Sequence, residues 1–304
     1  MGQMASARVS RNLDAGATEP QRLRRSVTSG MTDLISPVVV LDQVSKLFTG
    51  HRALDRVSLT IDPGEFVAII GRSGAGKTTF LRCLTRALPV TRGVIRFGDE
   101  DLGELSGRGL REHRARVGMI YQQFNLVKRL RVLDNVLIGR LPHLGRGARW
   151  ASLARVFPRV DRDIAARCLE HVGLTERAWQ RTDTLSGGEQ QRVAIAKILA
   201  QEPRIILGDE PVASLDVANG AMVMETLRRV ASSAGVTVVT TLHHVEYARR
   251  YSDRVVGFRR GRMVFDGKAI ELTDRAVADI FDEGKAEETV AELVPRREPT
   301  WAAS

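Results

Sequence analysis

Gly71-Arg72-Ser73-Gly74-Ala75-Gly76-Lys77-Thr78 decides the fold of this 304-residue chain. An apolar run, Phe66–Ile70, precedes it and a helix-like pattern follows, the strand-turn-helix setting of a phosphate-binding loop. Glycines let the backbone wrap an anion and aim its N–H groups inward. The helix start adds the positive end of its dipole. A lysine at position 77 suits the β- and γ-phosphates of a nucleotide, and the Thr78 hydroxyl, with Thr79 beside it, suits the associated Mg²⁺. The 46 basic residues contain only six lysines, so a lysine at this position carries weight.

Working outward, short strand patterns alternate with helical ones. Val38–Leu41, Val57–Ile61, Gly93–Phe97 and Arg116–Tyr121 read as strands, as do Arg204–Leu207, Val236–Thr241, Arg254–Phe258 and Met263–Phe265. A helix is expected from the glycine-rich turn to about Leu88, and residues 132–183 are mostly helical in pattern. A β-rich beginning followed by βα alternation predicts an α/β fold: a mainly parallel P-loop sheet, an antiparallel β subdomain and an inserted helical subdomain at about 124–186. Residues 37–284 form the expected domain. Residues 1–36, rich in Ser, Ala and Arg, read as a disordered tail, and residues 285–304 as a second tail. Met31 is a candidate start, with a transit peptide the lesser alternative.

Composition excludes several classes. Hydrophobic residues make up 43% and charged residues 27%, ordinary for a globular chain. No apolar run is long enough to span a bilayer. The net charge is +10, but aromatic residues are only 5% and no basic run interleaves with them, so no nucleic-acid partner is expected. Cys83 and Cys168 sit in apolar helical patterns and read as reduced core thiols.

Two further motifs carry chemistry. In Arg204-Ile205-Ile206-Leu207-Gly208-Asp209-Glu210-Pro211 an apolar strand ends in two carboxylates at the carboxyl edge of the sheet, where such sheets bind ligands. Asp209 suits Mg²⁺, held partly through water, and Glu210 suits the attacking water. In Leu185-Ser186-Gly187-Gly188-Glu189-Gln190-Gln191-Arg192 the pair Ser186 and Glu189 form a capping box, enough by itself to start a helix. A capped, glycine-rich helix start is also an anion site.

These motifs, in this order, resemble the ATP-binding subunit of an ABC transporter over about residues 38–284. The resemblance implies ATP and Mg²⁺ as ligands, and a head-to-tail homodimer in which Ser186, Gly187 and Gly188 close over the γ-phosphate held by the other subunit's loop. It implies that Gln122 touches Mg²⁺ and links the site to transmembrane permease subunits, that His243 contacts the γ-phosphate, that Phe48 stacks on adenine, and that Ser214-Leu215-Asp216 communicates across the dimer. With Glu210, Lys77, Gln122 and His243 as catalytic residues and Thr78, Gln122 and Asp209 around the metal, the expected reaction is ATP hydrolysis. Gly208 and Val217 stand where the family commonly has Ala and Pro. The sequences around Gln122–Val127, Arg129–Leu141, Pro211–Asp216 and Leu242–Gly257, with Trp150, Leu153 and Phe157, are most similar to the ATPase subunit of phosphonate importers. The resemblance therefore implies a peripheral protein at the cytoplasmic face of the inner membrane, served indirectly by a periplasmic substrate-binding protein. An importer of a related oxyanion such as phosphite or phosphate, or a lipoprotein- or macrolide-type exporter, is the alternative. Phe124 and Leu126 read equally well as part of a permease-docking groove or as local core.

Overall fold

The computed structural model describes residues 38–153 and 156–282. The expected tails at 1–36 and 285–304 lie outside the described residues.

The central sheet has the order β10-β9-β3-β8-β7-β6. Its members are β3 (Phe66–Ile70), β6 (Val117–Ile120), β7 (Ile205–Asp209), β8 (Thr237–Leu242), β9 (Arg254–Arg259) and β10 (Arg262–Lys268). All neighbours are parallel except the β9–β10 hairpin. Burial on both faces explains the unbroken apolar runs. In β3, Phe66, Ala68 and Ile70 join the core beneath the helices, while Val67 and Ile69 join a second core under the other sheet. That second sheet, β2-β1-β4-β5, is antiparallel. It comprises β1 (Val39–Phe48), β2 (His51–Ile61), β4 (Arg92–Phe97) and β5 (Glu100–Asp101).

Helices α1 (Lys77–Leu84) and α2 (Gly107–Arg116) precede β6. Between β6 and β7 lie α3 (Val132–Ile138), α4 (Arg146–Leu153), α5 (Arg159–His171) and α6 (Gly187–Leu199). After β7 come α7 (Val217–Ala234), α8 (Val245–Tyr251) and α9 (Asp274–Phe281). An ion network around the buried Arg140 ties the helical region together. Arg140 Nε donates to Asp161 (2.8 Å), and its Nη1 reaches the Ala200 carbonyl (2.8 Å) and Glu202 (2.7 Å). No described helix is long and apolar enough to cross a membrane.

The structure differs from the sequence reading in specific places. β1 runs on to Phe48 and β2 starts at His51, because register shifts with Gln43 in the left-handed region (φ 47°) break the alternation a strand reading depends on. α1 ends at Leu84 rather than near Leu88. α2 and β5 add elements that the sequence reading omits. Cys83 and Cys168 are free and buried, as expected.

Candidate functional site

The phosphate loop closes on itself. The Ala75 amide donates to the Arg72 carbonyl (3.1 Å), and α1 begins at Lys77. Gly76 has φ 105°, and a Cβ there would be driven into the Ala53 carbonyl of β2; one at Gly71 would strike the Phe258 carbonyl of β9. The loop is thus gripped by backbone from both sides, and glycine is the residue that permits the grip. Gly261, in the β9–β10 turn, donates to the Ala75 carbonyl (3.0 Å).

Lys77 is only 5% exposed. Its Nζ donates to the carbonyls of Gly71 (2.7 Å) and Arg72 (3.0 Å). Burial pulls the ammonium below its ordinary value, and the charges of Glu210 and Asp209 oppose that pull. An ammonium held only by carbonyls beside two carboxylates is a ready partner for a polyanion.

The parallel register sets the remaining groups at one sheet edge. Asp209 pairs with Thr241, and Ile120 with Gly208. The Thr78 hydroxyl donates to Asp209 Oδ1 (3.0 Å), and the Thr241 hydroxyl lies 3.2 Å from the same oxygen. Thr241 Oγ1 also accepts the Glu210 amide (2.9 Å). Glu210 itself is left-handed, with φ 53°, a conformation that is costly for a carboxylate residue and clusters at functional sites. Its carboxylate meets Nε2 of His243, just past the end of β8.

Phe48, His51 and Ala53 form one wall of a groove of about 380 Å³ whose floor is Ser73 to Thr79, apart from Ala75, and whose far side is Glu210. Phe48 is 45% exposed, and the Lys46 ammonium stands 5.2 Å from its ring centroid. A half-exposed aromatic ring beside a phosphate cradle fits a purine base. The hydroxyl of Thr78 and carboxylate of Asp209 are hard oxygen donors at that cradle, a set that suits Mg²⁺ completed by phosphate oxygens and water.

Two sequence-predicted elements stand apart from this groove. Gln122 lies two residues past β6, at the correct sheet edge, but is exposed and does not line the groove. Ser186 caps α6 through a complete capping box, its Oγ accepting from the Glu189 amide and Glu189 accepting from the Ser186 amide (2.9 Å). The start of α6 packs on the beginning of α7 instead of on the chain's own phosphate loop. A Cβ at Gly187 would touch Leu215 (3.3 Å), and one at Gly188 would collide with the Asn219 amide. Asp216 caps α7 by accepting from the Asn219 amide (2.9 Å). Phe124, half-buried, faces Gly187, and Leu126 packs on the core beneath the helices.

Sequence reasoning missed Thr241, Asn219 and His51. For Thr241 a signal existed: Thr240 and Thr241 are wholly buried in a strand otherwise apolar at its centre, and buried hydroxyls need partners.

Comparison with known proteins places the fold and the family. The family profile described as ABC transporter matches residues 54–213. The phosphonates import ATP-binding protein PhnC of Rhodopseudomonas palustris (strain BisB5) is 49% identical over 245 residues, covering 81% of this chain and 90% of the relative. Phosphonates import ATP-binding protein PhnC 1 of Halalkalibacterium halodurans is 46% identical, covering 80% of this chain and 94% of the relative. Among solved structures, the dimeric, post-hydrolysis ATP-binding cassette MJ0796 bound to ADP and Pi superposes with a TM-score of 0.65 at 33% identity, covering 76% of this chain and 98% of that one. The fold is also that of cbiO1 from Clostridium perfringens (TM-score 0.70, 24% identity, 80% and 94% covered).

Proposed function

The chain belongs to the ABC transporter family as its ATP-hydrolysing cassette, and from that premise we propose that it drives uptake of phosphonate. The observation that carries the ATPase chemistry is the single groove in which Lys77, Thr78 and Glu210 face an exposed aromatic ring. The choice of phosphonate rests on relatives named as phosphonates import ATP-binding proteins, among them those of Rhodopseudomonas palustris at 45–49% identity.

In the mechanism we propose, ATP enters with its base against Phe48 and its phosphates in the loop from Gly71 to Thr79. Lys77 exchanges the Gly71 and Arg72 carbonyls for phosphate oxygens, a stronger charge-assisted pairing. Thr78 and Asp209, with Gln122, would hold Mg²⁺, which would supply positive charge against the nucleotide's phosphates. The carboxylate of Glu210 accepts a hydrogen bond from water and orients it toward the γ-phosphorus. A bond forms from water oxygen to phosphorus while a water proton passes to the Glu210 carboxylate and on to the phosphate; the bond to the β–γ bridging oxygen breaks with its electron pair staying on ADP, and ADP and inorganic phosphate leave. His243 contacts the γ-phosphate while bearing on Glu210. The helix start at Ser186–Gly188 serves the nucleotide of a second copy, which agrees with its distance from the chain's own loop. Catalysis is positioning and electrostatics, as in phosphoryl transfer generally. The same reading makes the protein peripheral at the cytoplasmic face of the inner membrane, bound to permease subunits fed by a periplasmic binding protein.

The test is growth of a strain deleted for this gene on a simple alkylphosphonate as sole phosphorus source, with orthophosphate as control. Failure on phosphonate alone, rescued by the parent gene and not by Lys77→Ala, is the expected result. Normal growth, in a strain with no second phosphonate system, overturns phosphonate as the cargo and leaves the ATPase.

A further inference from the structure

Between Ile120, where β6 ends, and Val132, where α3 begins, the chain leaves the sheet for the helices, with Gln122 at its near end. Side chains hold this segment by its backbone, among them Thr182, whose hydroxyl donates to the Leu130 carbonyl (3.0 Å). Asn135 of α3, wholly buried, accepts from the Val127 amide (2.8 Å) and donates to the Val127 carbonyl (3.0 Å). Lys197 of α6 donates from Nζ to the Asn125 carbonyl (2.9 Å). Asn125 is left-handed (φ 49°), so the carbonyl that Lys197 takes is presented by a backbone conformation that costs energy.

Lys197 is an expensive residue for its place. It is half-buried, and among the described residues no carboxylate pairs with it. Burial pulls its ammonium below the ordinary value with no opposing charge. A methionine would fill the same space without desolvating a cation. What the cation supplies is a charge-assisted bond to one carbonyl, three residues from Gln122. Lys197 also rides on α6, whose first turn is Ser186–Gly188, and its own carbonyl is where a Cβ on Gly139, at the end of α3, would collide.

We propose that Lys197 is a positioning residue for hydrolysis: from the helix that carries Ser186–Gly188 it fixes the Gln122–Asn125 backbone and so sets where the Gln122 amide is offered to the nucleotide. This rests on the role given to Gln122 above. The geometry makes α6 a rigid rod with the anion site for the partner's nucleotide at one end and a grip on the Gln122 segment further along.

The test measures kcat and KM for ATP on the full-length chain carrying Lys197→Met, Gln122→Ala, both, or Lys197→Arg, with a thermal melt of each. The expected result is that Lys197→Met lowers kcat by about 3- to 10-fold with KM changed less than about twofold, and adds nothing in the Gln122→Ala background. Lys197→Arg restores most of the rate, because the donor and charge persist. A parental kcat in Lys197→Met, or a full further loss on top of Gln122→Ala, overturns the proposal while leaving Gln122 in place. A silent Gln122→Ala instead overturns the role of Gln122, and the proposal with it. Where Lys197→Met melts too low to assay, Lys197→Gln, which keeps a neutral donor, replaces it and is expected to fall between parent and Gln122→Ala.

Discussion

The Thr78 hydroxyl donates to Asp209 Oδ1 across 3.0 Å, joining the first turn of α1 to the end of β7 over 131 residues of sequence. The pair places one hydroxyl and one carboxylate where a hard cation and the phosphates it bridges would meet. Thr78→Val removes the hydroxyl with little change of volume, and Asp209 keeps its contact with Thr241. The Mg²⁺ concentration giving half-maximal ATPase should rise by roughly tenfold or more, as the loss of a ligand or its support does. A Mg²⁺ titration with an unmoved midpoint would remove Thr78 from the metal's surroundings.

Glu210→Gln keeps the length and the backbone conformation of the side chain but removes the charge that orients water. Hydrolysis should fall at least about 100-fold while nucleotide binding persists, the usual scale for removing a general base. Radiolabelled ATP retained by the variant, together with steady-state turnover, measures both. Equal turnover by variant and parent would sink the assignment. The contact of Glu210 with His243 predicts in addition that His243→Ala lowers kcat more than it changes KM.

Gly208 has a packing reason. A Cβ there would lie 2.7 Å from Thr240 Oγ1 and 3.2 Å from its Cβ, in the closed interior between β7 and β8. Gly208→Ala should therefore cost about 1–3 kcal/mol in urea unfolding, the scale of overpacking. Thr240→Ala in the same chain should recover much of that loss, a clear departure from additivity. Additive losses would mean that the two residues do not share the space.

His113 predicts a pH dependence of stability. Its ring is wholly buried, donates from Nε2 to the Leu84 carbonyl (3.0 Å), and stands edge-on to Phe97 with centroids 5.1 Å apart. Nδ1 has no partner. Burial, the largest influence, holds the imidazole below its ordinary value. The unfolded chain then binds more protons than the folded one below about pH 6.5, so stability falls as pH drops through that value, with a slope of at most about 1.4 kcal/mol per pH unit from this one group. Unfolding curves at pH 7.5 and 5.5 for the parent and His113→Gln check this; the difference between the two pH values should shrink in the variant.

The sequence exposed the central sheet because its strands are buried on both faces and read as continuous apolar runs, as in Phe66–Ile70. It exposed the phosphate loop and Asp209-Glu210 because their chemistry lies in residue types at fixed spacing. The rest depends on partners. β1 hides behind a bulge at Gln43, and α2 is polar on nearly every side, with His113 as its only wholly buried residue. Thr241, Asn219 and Lys197 are ordinary letters in the sequence. Their meaning comes from a carboxylate, a glycine and a carbonyl that only folding brings to them.

The start of α6 lies away from the groove of its own chain, and this has a consequence in genetics. In the head-to-tail pair proposed above, an allele damaged in the loop, Lys77→Ala, and one damaged at the helix start, by replacing Ser186 and Gly188, are each expected to be inactive alone. Expressed together they would form mixed pairs, in which one interface collects both lesions and the other has neither. Two inactive genes in one cell are then expected to give back a function that neither encodes, and the ratio of their doses to set how much.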